Sequence, residues 1–337
     1  MSEAYIEGKK VIEPDARFEH MMAITLDPRT SYKKGIIRCI TSRSGNLAIK
    51  GNTDRSVLHK ISGSSLENFK IGEKLKIKNE KKWVDQLTGS DGDFLGLEDP
   101  DIWIDETGLM HIYFTIPVKK GEHKYNISLG HAMGKDLDSL EMMEPALIGS
   151  TGKSAKEVSV APLNSNGIRL NLIESSLESE TRWCSTIRVV MAEDMNKPWK
   201  FGKTIFNPSI NNMAWIAGHA SPGPLFPKSF IDVGQDKLLG IINGCEADQE
   251  VGTDTKYGNF SIGLFIYDYE NGEIDWVSPE PFIQDSEAGK GGGRAITFAS
   301  QFVETEPGKG ILYAHVDDSF VRAYLLNAEK IRELLPL

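Results

Sequence analysis

Apolar positions along the chain fall in short runs separated by polar turns that usually carry glycine. Four segments share one form, an apolar stretch, a turn and a second apolar or aromatic stretch: DIWIDETGLMHIYFT from Asp101, SVAPLNSNGIRLNLIE from Ser159, PLFPKSFIDVGQDKLLGII from Pro224 and ITFASQFVETEPGKGILYAH from Ile296. Each pattern predicts a β-hairpin. A third strand-like run follows each, YNISLGHAMG, TIRVVMAED, FSIGLFIYDYENG and SFVRAYLLNA, and a fourth follows three of them in SLEMMEPAL, KFGKTIFNP and EIDWVSPEPFI. The repeating unit is therefore about four strands in roughly 60 to 75 residues. Upstream, MMAITLD, GIIRCIT, NLAIKGN and KLKIKNE supply the strands of one further, less regular unit.

Four-stranded units repeated in this way predict an all-β fold, a five-bladed β-propeller with four-stranded antiparallel blades and a short C-terminal helix. The expected organisation is one domain over residues 1–337, with an N-terminal extension at 1–19, blades over 20–325 and a terminal helix and tail at 326–337. Only the closing NAEKIRELLPL has the spacing of an amphipathic helix, which disfavours a βαβ plan. A propeller stacks its sheets radially and leaves an axial pocket, so functional groups are sought where the first strands of the blades converge.

Of the 337 residues, 40% are hydrophobic and 26% charged, the balance of a globular chain with a sizeable core. The formal net charge of −10, with no block of Lys or Arg, excludes nucleic acid and anionic membrane as partners. The start, MSEAYIEGKKVIEPDARFEH, lacks the apolar core of a secretion signal and no later run is long enough to span a bilayer, so a cytoplasmic location is expected. Cys39, Cys184 and Cys245 are few, odd in number and far apart, which fits neither a disulfide framework nor a zinc site. No metal or cofactor motif is present, and none is expected. Oligomeric state leaves no signal.

The densest chemistry lies in FLGLEDPDIWIDE, which holds Glu98, Asp99, Asp101, Asp105 and Glu106. Acids beside Pro and Gly are ordinary turn residues, so position decides. LEDPDIW opens a blade where the strand should face the axis. Other blades bring Glu157 in EVSVAPL, His219 in WIAGHASPGPLF and Arg294 in GGGRAITFASQF, while hairpin ends add Glu246 and Asp248, and His315, Asp317 and Asp318.

These residues carry a resemblance. GLEDPDIWIDETGLMHIYFT is similar to the Glu-Asp-Pro-Arg segment and following hairpin of glycoside hydrolase family 130, the mannoside phosphorylases and related mannosidases. GPLFPKSFIDVGQDKLLGIINGCE looks like a later blade of that family, and ILYAHVDDSFVRAYLLNAEKIREL like its last blade. The resemblance runs from about residue 90 to the end, and hairpins of this type are shared with five-bladed glycosidases of family 43. It implies a propeller acting on an oligosaccharide or glycoside, with Asp99 as general acid. Like-charge repulsion from Glu98 and burial at an apolar strand start would raise the pKa of Asp99, as that role requires.

The chain also departs from the family. Asp101 stands where the family has arginine, and LNLIESS, with Glu174, offers no counterpart to a further basic residue. Such basic residues hold phosphate in the phosphorylases, so hydrolysis of a β-mannoside-like substrate is the expected reaction. Inversion needs a second carboxylate roughly 6.5 to 9.5 Å away; Glu246 is favoured over Glu174 and Glu157. Glu98, Asp101, Glu157, Trp215, His219, Arg294, His315 and Asp317 are expected to contact substrate, and Trp103, Trp183 and Phe298 are further aromatics near blade starts or loops. A phosphorylase would have to draw on Arg294, Lys153 and Lys156. Two alternatives are a noncatalytic sugar-binding propeller and a protein-interaction propeller working through outer loops such as KNEKKWVDQLTGSDGD.

Overall fold

Strands of alternating or wholly apolar residues must bury at least one face, and here they do so between five radially arranged sheets. The computed structural model describes residues 4–336 apart from 122–123, 151, 179–182 and 292. Blade I is Met21–Leu26, Lys34–Ser44, Thr53–Ser65 and Asn68–Lys74. Blade II is Glu98–Ile104, Met110–Gly121, Lys124–Gly134 and Glu141–Met142, with Asp93–Phe94 as a short extra strand. Blade III is Lys156–Ser159, Arg169–Glu178, Trp183–Ala192 and Lys200–Phe206. Blade IV is His219–Leu225, Lys237–Cys245, Phe260–Asp268 and Glu273–Val277. Blade V is Thr297–Glu306, Lys309–Val316 and Phe320–Asn327, and its outermost strand is Tyr5–Lys10. The fold is the five-bladed all-β propeller that the repeats predict.

Each pair of neighbouring blades closes over its own apolar core. Leu58 meets Ile112 and Phe114 between blades I and II, and Leu129 meets Ile173 and Trp199 between II and III. Leu172 meets Ile242 and Phe265 between III and IV, and Leu239 meets Phe302 and Leu312 between IV and V. Ile24 and Ile37 meet Tyr313 and Val321 where blade V returns to blade I. Fully burying one such side chain contributes about 1.5–3 kcal/mol, so the ring is held by packing at all five seams.

Three expectations are corrected. Residues 1–19 are not a free extension, because Tyr5–Lys10 pairs antiparallel with Phe320–Asn327 and covers what would otherwise be an open edge. NLAIKGN and KLKIKNE are not the outer strands of blade I. The first is a turn region bounded by Gly45 and Gly51 at φ 84° and 107°, while the alternating run in Thr53–Ser65 forms the longer ladder. The charged KNEKKWVDQ segment is not a loop but contains the helix Glu80–Thr88, which buries Val84 and packs Trp83 and Leu87 against the blade I–II seam. The terminal helix is short, Ala328–Arg332, with Asn327 capping it by accepting from the Glu329 and Lys330 N–H groups.

Closure between the two ends of the chain carries a polar clasp. Arg322 Nε meets the buried Asp285 carboxylate at 2.7 Å and Nη2 meets Glu287 at 2.8 Å. Its Nη1 donates to Gly8 O at 2.9 Å, tying the N-terminal strand to blade V. Tyr324 Oη donates to the same Asp285 oxygen. Asp285→Ala removes the one fully buried carboxylate of the clasp and leaves Arg322 only the more exposed Glu287 and Glu7, and is expected to lower the unfolding free energy by about 3 kcal/mol. Urea denaturation reads it, and a loss of only about 0.5 kcal/mol, the size of an exposed pair, would mean that closure does not depend on the clasp.

Candidate active site

Every innermost strand breaks register with its neighbour at the same level. The breaks fall between Met22 and Ile24, Glu98 and Asp101, Lys156 and Val158, Pro222 and Leu225, and Ala299 and Gln301. Each break is a bulge, which re-aims the residue left over. Inside the breaks lie Ala23, Asp99 and Pro100, Glu157, Gly223 and Pro224, and Ser300, and all seven line one axial cavity of about 370 Å³. Ala23, Asp99 and Glu157 hold φ values of 49°, 46° and 50°, a left-handed conformation that costs an L-residue roughly 1–2 kcal/mol. Of these, Asp99 and Glu157 alone carry ionisable groups; they come from adjacent blades, and both line the cavity, where the charge of Asp99 acts on Glu157.

On the side where the innermost strands begin, a funnel of paired charges surrounds this dyad. Arg38, opposite Met22 in blade I, donates from Nη1 to Asp99 Oδ1 at 2.9 Å, from Nη2 to Glu98 Oε1 at 2.7 Å and from Nε to Ser56 Oγ at 2.8 Å. Lys156 Nζ lies 3.1 Å from Glu174, its cross-strand partner. His315 Nε2 meets Asp318 Oδ1 at 3.2 Å while its ring stacks on Phe298, with centroids 5.0 Å apart. On the opposite side the cavity continues past Asp101 and Gln301 to Trp103 and Glu304.

The two carboxyls of the dyad are driven apart electrostatically. Burial works to raise Asp99, but Arg38, Lys156 and His315 outweigh it and hold the group below the usual range. The expectation that Asp99 itself is the raised carboxyl is thereby corrected; its local neighbours in sequence are acidic, but a cation from another blade faces it. Glu157 goes the other way: burial, then the charge of Asp99, push it well above the ordinary value, against the pull of Lys156. Burial also raises Glu98 to about 7, with Arg38 opposing, and raises Asp101 to about 7. Asp318 is held near 2 despite burial, by the His315 hydrogen bond and by the charges of His315, Arg38 and Arg294.

Of the residues singled out in the sequence, the structure brings Glu98, Asp99, Asp101, Glu157 and His315 to this axis, with Trp103 at the far end. The others have different duties. Glu246 accepts from Asn259 Nδ2 at 3.0 Å and from its backbone N–H, away from the cavity lining, and Asp248 accepts from Gly258 N–H. Arg294 donates to Gly258 O, approaches Cys245 Sγ at 3.0 Å and stacks over Tyr257 and Phe260. Trp215 is buried over Gly244 and Gly263, where any added Cβ would meet its ring at 2.3 Å, so it is a packing residue and not a sugar platform. His219, at the start of the blade IV inner strand, accepts from Ser185 N–H at 2.9 Å through Nδ1 and fastens blade IV to blade III. Asp317 accepts from the Gly289 and Ile296 N–H groups and shapes the loop before blade V, leaving Asp318 to face the funnel. Lys153 sits over Phe201, and the ring of Trp183 lies outside the described side chains. Sequence reasoning missed Arg38 and Ser56, although a single arginine inside the apolar GIIRCIT is the kind of signal that marks a buried charge with a purpose. Among the described residues, no cluster of His, Cys, Asp or Glu is arranged to hold a metal ion.

The sequence matches no known protein-family profile and no curated protein. The structure is similar to several solved propellers. A candidate glycoside hydrolase of Parabacteroides distasonis aligns over 97% of this chain and 97% of its own, at 14% identity and a TM-score of 0.66. The β-1,2-mannobiose phosphorylase of Listeria innocua aligns over 99% and 94%, at 12% identity and 0.63. An endo-arabinase of Bacteroides thetaiotaomicron aligns over 95% and 97%, at 15% identity and 0.55. At these identities the likeness is one of fold.

The raised carboxyls make stability depend on pH with a definite sign. The folded protein keeps protons on Glu98, Asp101 and Glu157 at pH values where the unfolded chain has released them, so it binds more protons. Their contribution is intact below the ordinary carboxylate range and is lost as pH rises from there toward and beyond 7. Asp101→Asn removes one of these titrations without touching Arg38, and its urea midpoint is expected to fall less between pH 5 and pH 8 than that of the parent. Parallel curves would show that Asp101 is ionised throughout.

Proposed function

We propose that the chain is a glycoside hydrolase acting on β-mannoside-like oligosaccharides, with the Asp99–Glu157 pair as its acid. The observation that carries this reading is the dyad itself, two axial carboxyls on strained bulges, one with its pKa pushed well up by burial and by the charge of the other, which is itself held down by Arg38. A protonated carboxyl at neutral pH is what departure of an alkoxide leaving group requires. The two similar propellers described as a glycoside hydrolase candidate and a mannobiose phosphorylase favour a mannoside among glycosides.

In this reading Glu157 stores the proton and Asp99, fixed by Arg38, shares it. As the glycosidic C–O bond breaks, the pair passes that proton to the leaving oxygen, and the sugar develops oxocarbenium character. With the charge of Asp99 acting on Glu157, we assign the two carboxyls to one acid and not to the acid and second carboxylate that stand roughly 5 to 9.5 Å apart in glycosidases of either stereochemistry. The base then comes from another blade. Asp318 of blade V, ionised and partly exposed in the funnel, fits that role. It takes a proton from the attacking water, whose oxygen forms the new bond at the anomeric carbon, and the product is a free sugar of inverted configuration.

Phosphorolysis is the second reading, favoured by the phosphorylase among the similar structures. The charges argue against it. Arg38 is committed to Glu98 and Asp99, and Lys156 to Glu174, so a phosphate dianion would meet paired cations amid carboxylates and would not recover its desolvation cost. A cytoplasmic setting belongs to the same proposal; Cys39, Cys184 and Cys245 are buried in three different blades, which suits a reducing compartment.

Asp99→Asn and Glu157→Gln are each expected to lower kcat by roughly a hundredfold to ten-thousandfold with little change in KM. A panel of chromogenic glycosides and manno-oligosaccharides, with products resolved by chromatography with and without phosphate, reads both points. Free sugar in either buffer supports hydrolysis. Sugar 1-phosphate would make the chain a phosphorylase, and near-full activity of both variants would remove the dyad from the chemistry. Sugar binding without cleavage of any glycoside would make it a binding propeller, and neither binding nor cleavage would favour the protein-interaction alternative.

A further inference from the structure

The axial cavity reaches well past the dyad. Its upper end holds Asp99 and Glu157, with Ser300 inside the break of the blade V strand at the same level. From there the innermost strands run toward the opposite face, where Tyr32, Pro227 and Glu304 form a mouth; Pro227 is exposed and the other two partly so. Asp101 lies between the two ends, two residues along the blade II strand from Asp99. At about 3.3 Å per residue its backbone stands roughly 6–7 Å further down the passage.

This lining suits water. Two of its polar atoms, Ser300 Oγ and Glu304 Oε1, are buried without a hydrogen-bond partner among the described residues, and the hydrogen bond acting on the Asp101 carboxyl comes from the adjacent Ile102 N–H. Buried polar groups that face a cavity of about 370 Å³ bind water, since one molecule needs only roughly 10–15 Å³ of such volume and two to four polar partners. At a spacing of about 2.8 Å per hydrogen bond, one or two waters reach from Asp101 to the dyad.

The funnel side offers the dyad no such donor. Its neighbours there are Arg38 and Lys156, whose pKa values stand raised although burial works against them, through the charges of Asp99 and Glu98 on the one and of Glu174 and Glu157 on the other. Neither gives up a proton. Asp101, raised to about 7 by burial, is a weak acid at neutral pH.

Resting on the glycoside-cleaving reading above, we propose that the dyad is reprotonated through this cavity, with Asp101 relaying a proton from the face opposite the funnel. Each turnover moves the proton of the dyad to the leaving oxygen and a proton of the attacking water to Asp318, which returns it to solvent through the funnel. Reloading breaks the Asp101 O–H bond as that proton passes to the adjoining water. The water hands one of its own protons on toward Glu157, where the new O–H bond forms, and the Asp101 carboxylate takes a proton from solvent at the Glu304 mouth. One proton leaves by the funnel and one enters by the mouth, so the cycle balances while sugar still fills the funnel.

Asp101→Asn and Asp101→Ala in the full chain test this on substrates of two kinds. A manno-oligosaccharide has an alkoxide leaving group that needs the proton, whereas a dinitrophenyl glycoside loses a stable phenolate and leaves the dyad loaded. On the oligosaccharide both variants are expected to lower kcat by roughly a hundredfold, the low end of what a proton-transfer group contributes, with little change in KM. The loss on the dinitrophenyl glycoside should be far smaller. Formate, a weak acid that fits the space left by the side chain, should restore much of the oligosaccharide kcat of Asp101→Ala and add nothing to the parent. Equal losses on the two substrates, or an Asp101→Ala variant that formate leaves unrescued, would make Asp101 a structural residue, and an unchanged oligosaccharide kcat would show that the dyad reloads by another route; each overturns the proposal. Where Asp101→Ala does not fold, the substrate contrast of Asp101→Asn decides. If the parent cleaves no glycoside, the hydrolase reading falls separately and the route is read by crystallography of the parent: ordered waters linking Asp101 past Ser300 Oγ to Glu157 support it, and waters that stop short of Glu157 contradict it.

Discussion

One backbone constraint underlies the site: each innermost strand carries a break in register at a common level, so that all five blades deliver residues to one axis. A strand without the bulge would alternate its side chains between the two seams beside it and present the axis with little chemistry. The bulge turns a residue out of that alternation. At Ala23, Asp99 and Glu157 it also demands a left-handed backbone from a residue with a Cβ, and that strain persists because the ladders on either side, Glu98 with Thr115 and Asp101 with Tyr113 among them, fix both flanks. Packing of the five seams holds the geometry, and the geometry sets two carboxyls in contact.

Contact then does the electrostatic work. Neither carboxyl on its own would distinguish itself from the many acids of this chain. Together, out of water and with one guanidinium placed against Asp99 and none against Glu157, they disfavour double ionisation, and the carboxyl that lacks the arginine is the one whose pKa is pushed up. Arg38 is thus a positioning residue as much as a counter-charge: it chooses which of two adjacent acids is the anion. Lys156 and Glu174 limit the net charge around them, and His315 does the same for Asp318 at the far side of the funnel.

The fold was legible because the blade repeat is written in strand-length apolar runs and glycine turns, and each hairpin is local in sequence. Where blade I was misread, the cause was also local: NLAIKGN is as apolar as a strand, but glycines in left-handed conformations, Gly45 and Gly51, turn it into the loop between the second and third strands of the blade. The closure by Tyr5–Lys10 was not legible, since pairing across more than 300 residues leaves no local pattern. For the site, the Glu-Asp-Pro segment and Glu157 stood out because acids at the start of apolar strands are costly unless used. Glu246, Arg294, Trp215 and Asp317 carried the same signals and serve the scaffold; spacing along the chain cannot tell a carboxylate that faces the axis from one that caps its own loop. Arg38 was hidden for the complementary reason, as its partners lie about 60 residues away on another blade.

The proton itself is the most direct witness. Neutron diffraction from crystals equilibrated in heavy water at neutral pD would locate deuterium on the carboxyls of the axis. The account predicts one deuteron on Glu157, directed at Asp99, with Asp99 bare and bonded to a fully deuterated Arg38. A deuteron on Asp99 with Glu157 bare, or two bare carboxylates parted by water, would contradict it.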